Sequence, residues 1–339
     1  MTVGVPAVER ARARVSLGDA QALVWLARLL LVAVALDLVV TRFVVRLAIF
    51  VPKGEPWATA SGVLGRIGAA TDAAVPLVGL VVLGVLLVDA GRRRRPLDAA
   101  TLAAIAVVAF AGFAFIVLPP RVEVALVLEV VVALVAVAAA VRIGRTRGPI
   151  VARVGVIGLA AGVGFAAISG AVELSGVAAA SGGSLGLTLA AVGQLAFVAG
   201  ALLVGSGGLV RSGRPEPARG RFVLLGLAAA LFVVVMAWRA PSMWGVLSIW
   251  SIGLAGAVPV PLVAIAIGFA AGGLPLLHRR SLGLAIGAAI VLLSGYDLAA
   301  SGLLLAQLLG LAIAGTLDHH GHGDAPQGSS GRRRVCRTG

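Results

Sequence analysis

Four side chains carry oxygen into apolar stretches of this sequence: Asp37, Glu129, Gln194 and Gln307. A polar group inside a membrane span marks a functional position by default, because burying it without a partner is costly. Two carboxylates and two amides can form a cation or proton site. Oxygen ligands suit hard cations, and a desolvated carboxylate suits proton coupling. The spacing puts Asp37 in the outer part of one span. Glu129, Gln194 and Gln307 fall near the middle of three others. The competing reading is that each side chain only satisfies a local helix contact, which contributes about 0.6 kcal/mol on average between membrane helices.

Other polar clusters carry weaker chemistry. Arg239 stands between Trp238 and Trp244, where charge and cation–π attraction can hold an anionic or aromatic group. Ordinary interfacial anchoring by the tryptophans explains the same cluster. His319, His320 and His322 form the histidine cluster of the tail, a weak candidate for a transition metal. Tyr296-Asp297 and the Gly321–Asp324 stretch have the outline of paired intramembrane protease aspartates. Asp324 lies in a polar tail, however, so the two are not expected to meet at depth. Cys336 is the single cysteine, which excludes an internal disulfide and a cysteine-built zinc site. No cofactor is implied.

The elements that must position these residues follow from composition. The chain has 339 residues, 60% hydrophobic and 12% charged, with a mean hydropathy of +1.07. Its apolar residues fall in blocks of roughly 18–25, the length a helix needs to cross a bilayer. A soluble enzyme and a secreted disulfide scaffold are excluded. The expected fold is all-α: a polytopic integral membrane bundle of about ten transmembrane helices with both termini cytoplasmic. The spans are expected near 23–43, 73–90, 99–118, 122–141, 151–171, 187–207, 222–239, 258–277, 281–296 and 299–317. Residues 1–20 form a cytoplasmic N-terminal segment, 21–317 the transmembrane domain, and 318–339 a polar tail expected to be disordered.

A net charge of +14 would ordinarily raise nucleic acid as a partner. The arginines instead sit in short junctions, at 92–95, 142–153 and 211–221, where they orient helices by retention on the cytoplasmic side. No nucleic acid is expected. The expected partners are the lipid bilayer, a small solute or ion, and membrane partner subunits. Residues 44–72 depart from the charge pattern, since this outer loop contains Arg46, Lys53 and Arg66.

Two further features bear on architecture. Pro259 and Pro261 interrupt the stretch before the eighth span, and a broken helix at membrane depth indicates a site. Glycines four apart, Gly158 with Gly162 and Gly283 with Gly287, allow close helix approach. The reading that results is a small-solute or ion permease of the plasma membrane, lined by the four deep polar residues and Arg239. A structural or assembly subunit of a membrane complex is the first alternative. A membrane enzyme acting on a lipid-linked substrate through Arg239, Lys53 and Glu55 is the second.

Overall fold

The computed structural model describes residues 7–40, 54, 56–118, 121–177, 183–209, 260–295 and 301–317. They form nine α-helices, with no strand among the described residues. In chain order these are α1 (Ala7–Asp37), α2 (Trp57–Arg92), α3 (Pro96–Val117), α4 (Val122–Gly144), α5 (Ile150–Leu174), α6 (Ser184–Leu209), α7 (Val260–His278), α8 (Leu282–Ser294) and α9 (Ser301–Thr316). A helix satisfies every backbone donor and acceptor within its own segment, away from water. Six of them, α1 to α6, are long and apolar enough to cross a membrane. The chain is a multi-pass, all-helical membrane protein.

Local chemistry sets the ends. Pro96 opens α3 at a first-turn position, where its missing N–H costs nothing. Ser281 caps α8, its hydroxyl accepting from the Leu284 N–H. Arg92 and Arg142 occupy the last turns of α2 and α4, where a cation meets the negative end of the helix dipole.

Two expectations change. The segment 57–72, expected within an outer loop, is helical and continuous with α2 through Pro76. At 36 residues α2 is about 54 Å long, well beyond the roughly 30 Å hydrocarbon core. The N-terminal segment is helical from Ala7. The spans expected at 281–296 and 299–317 are helices of only 13 and 16 residues, about 20 and 24 Å. Neither reaches across the core. The seventh expected span lies outside the described residues. Of the expected break, Pro259 also lies outside them, and Pro261 is the second residue of α7. A helix start tolerates a proline there.

These two short helices are the centre of the molecule. From Gly283 to Leu292 every residue of α8 is buried, and so is every residue of α9 from Leu305 to Thr316. α8 packs against α1, α5, α7 and α9, while α9 packs against α2, α3 and α4. Glycines bring the backbones together. A Cβ on Gly287 would run into the carbonyl oxygen of Gly310 and lie 2.7 Å from the Ala314 Cβ. A second tight seam joins α5 to α6, where a Cβ on Gly200 would sit 2.7 Å from both the Gly155 oxygen and the Leu159 nitrogen. Gly158 and Gly162 belong to that seam and Gly287 to the first, so the glycine spacing does mark close packing.

The arginine-bearing ends gather on one side, here termed the basic face. Arg28 of α1 lies 3.5 Å from His278 at the end of α7. Arg142 joins the ends of α4 and α9 through the Thr316 hydroxyl at 2.8 Å. Gly148, before α5, meets Leu284 and Ser281 at the start of α8. Both ends of the short helix pair that leave the core therefore lie on the basic face.

Candidate functional site

α8 enters from the basic face and stops at Ser294; α9 starts at Ser301 and returns. The depth at which they turn can be counted along a neighbour. Gly295 packs on the ring of Phe197, which is the fourteenth of the 26 residues of α6. The pair thus ends close to the midpoint of a full-length span. Polar groups collect there. Gln307 is completely buried, and its Nε2 donates to the Ser294 carbonyl oxygen at 2.7 Å. That carbonyl is one of the last four of α8, which have no partner within the helix. The Gln307 Oε1 has no hydrogen-bond partner among the described residues. The Ser294 hydroxyl is spent on the preceding turn, at Ile290.

Asp37 and Gln194 are also completely buried. Asp37 ends the regular part of α1, a helix that packs on both α8 and α9. It lies nine residues beyond Arg28 on the basic face, and Gln307 lies nine residues before Thr316 on the same face. Each count corresponds to about 13 Å of helix rise, so the carboxyl and the amide stand at matching depth. Gln194 is three residues before Phe197 on α6, about 5 Å further from the basic face. All three side chains are fully buried within the bundle.

Glu129 does not join them. Its carboxyl meets Gly170 near the far end of α5, with Oε1 3.1 Å from where a Cβ would stand. Gly162, on the same helix, contacts Phe197. Gly162 and Gly170 are eight residues apart, which puts Glu129 about 12 Å beyond the Phe197 level. It is also only partly buried. Glu129 is the eighth of the 23 residues of α4, with its carboxyl against Gly170 of α5. Arg239, Lys53, Glu55 and the tail histidines His319, His320 and His322 lie outside the described residues. Among the described residues no group of three metal-ligating side chains comes together.

A second polar assembly, on the basic face, was not singled out from the sequence. Arg142 Nε pairs with Asp98 at 3.0 Å while its Nη2 donates to Thr316, tying α3, α4 and α9 together. Arg153 donates to the carbonyl oxygens of Gly144 and Thr146, fixing the α4–α5 turn. The available signal was a carboxylate in the first turn after Pro96 and an arginine in the last turn of the next span. On the same face Arg28 lies over the Trp25 ring at 5.5 Å, a cation–π contact. A cleft of about 280 Å³ runs between α1 and α2 from Asp89 and Arg92 to Gly84, two turns deeper.

No family model matches this chain, and no curated protein and no solved structure is detectably similar to it.

Proposed function

We propose that this chain is a small-solute or ion permease, with its site at the inner end of the α8–α9 pair. The observation that carries this reading is a pair of half-length helices, buried on all sides, ending at mid-depth beside the open carbonyl oxygen of Gln307. Helix ends within a membrane persist only where protein or a cavity surrounds them. Discontinuous helices whose ends meet a solute at the midplane are a recurring device of secondary transporters. The inward placement of Asp37, Gln194 and Gln307 supports this over the subunit reading, in which such residues would face a partner outside the bundle.

The donor set defines the solute class. The Gln307 Oε1, the Asp37 carboxylate and the last carbonyls of α8 are acceptors. They suit a small cation, a proton or a solute rich in N–H or O–H groups. Glu129 is left out of the binding layer. The clustered arginines support an orientation of the basic face towards the cytoplasm of the plasma membrane, the reading in which both termini are cytoplasmic.

The test is flux through proteoliposomes holding the full-length chain, with pyranine for protons and radiotracers for sodium and potassium. The expected result is a flux of at least one of them that Gln307→Leu and Asp37→Asn each lower about tenfold or more, while Glu129→Gln leaves it within twofold. Absence of flux for every probe, or flux in the two central variants equal to that of the unmodified chain, overturns the proposal.

A further inference from the structure

The basic face holds a cavity of about 330 Å³ between the starts and ends of α3, α4 and α9, walled by Arg94, Arg95, Asp98, Arg142, Arg145 and Gly315. Four guanidinium groups face one carboxylate, so the wall carries a formal excess of three positive charges. Asp98 is already committed, at 3.0 Å to Arg142 Nε and 3.8 Å to Arg95 Nη1. These contacts orient the two arginines without neutralising the set. Arg142 Nη1 is buried and has no hydrogen-bond partner among the described residues. Arg94 and Arg145 form no salt bridge among the described residues, and both are exposed.

The backbone adds to the same field. The first turn of α3 opens beside Arg94 and Arg95, and its N-cap receives no side-chain hydrogen bond. Its free N–H groups and dipole favour an anion. Arg94 itself has φ +51, a left-handed conformation disfavoured for a side chain with a Cβ. Strain of this kind persists where the surroundings over-determine it, and here it lies on the wall of the cavity.

We infer that this cavity binds a phosphate group, supplied by the headgroup of an anionic phospholipid. Planar guanidinium forks match phosphate oxygens in pairs, and basic pockets between membrane helices take such headgroups. The surroundings select the lipid over a free anion. Leu97, on the cavity wall, is 71% exposed, and Val141, next to Arg142, is 50% exposed. A bound headgroup would have its acyl chains against apolar side chains that already face the bilayer.

Native mass spectrometry of the purified full-length chain, titrated with phosphatidylglycerol or with phosphatidylcholine of the same chain length, tests this. Phosphatidylglycerol is expected to be retained about tenfold or more tightly than phosphatidylcholine. The double variant Arg94→Gln with Arg145→Gln, which removes charges outside the structural ion pairs, is expected to erase that preference without altering thermal unfolding. Arg66→Gln, far from the cavity on α2, is expected to keep it. Equal retention of the two lipids, or an undiminished preference in the double variant, overturns the inference. If inorganic phosphate displaces phosphatidylglycerol and gives the same thermal shift alone, the free anion is the ligand and the lipid assignment fails.

Discussion

The pair α3–α4 and the pair α8–α9 are both apolar helical hairpins, yet they occupy opposite environments. In α3 and α4 only 28% and 22% of the apolar window is buried, and Phe110 and Leu134 present 69% and 63% of their surface. In α8 and α9 almost nothing is exposed. Hydropathy does not separate the two pairs, because lipid tails and a protein interior are equally apolar solvents. What separates them is glycine content and length. The buried pair carries glycines where backbones touch and stops short of the bilayer thickness, whereas the peripheral pair has full-length spans rich in Ala and Val with few glycines.

This contrast predicts where substitutions hurt. The largest effect is expected for Gly287→Leu or Gly310→Leu. Either forces a branched side chain between touching backbones, at about 3 kcal/mol or more. Gly91→Ala, with nothing within 4 Å, should leave unfolding in mixed micelles within a few tenths of a kcal/mol. Equal losses at the two kinds of position would break the comparison. Arg142→Ala comes next, since it removes the Asp98 pair and the Thr316 bond together. About 2 kcal/mol is expected, read from the same unfolding curves.

Gln307→Leu sharpens the comparison differently. Loss of its bond to Ser294 should cost only about 0.6 kcal/mol, while flux falls far more. A stability loss as large as that of a seam glycine would make Gln307 a packing residue. The smallest effect is expected on the lipid face, where Leu134→Ala should shift stability by no more than about 0.5 kcal/mol.

The boundaries of some helices were legible in the sequence. Expected limits of 122–141 and 151–171 correspond to Val122–Gly144 and Ile150–Leu174, because arginines, Pro149 and Pro96 punctuate the apolar blocks. The Gly158–Gly162 contact was legible for the same reason: spacing on one helix is a local property. Depth and partnership were not. A block of apolar residues around 281–296 looks like a short span whether lipid or protein surrounds it. Glu129 sits mid-block in sequence, but its neighbour is Gly170 near the far end of α5. The Arg142–Asp98–Thr316 assembly joins residues from three helices, and no pattern along one chain segment encodes that.

The half-length pair also has an electrostatic consequence. α8 directs its C-terminal end, equivalent to about half a negative charge, into the core, and α9 begins there with about half a positive charge. The two ends are antiparallel and close, so their fields largely cancel at a distance and persist only within a few ångströms. Such an arrangement aligns a bound solute without drawing an ion in from solution. Net attraction for a cation there must come from a formal charge, and Asp37 is a fully buried carboxyl on α1, which packs against both short helices. On the proposed permease reading, removing it should weaken cation capture, whereas removing Gln307 should mainly loosen the pose of a cation already inside.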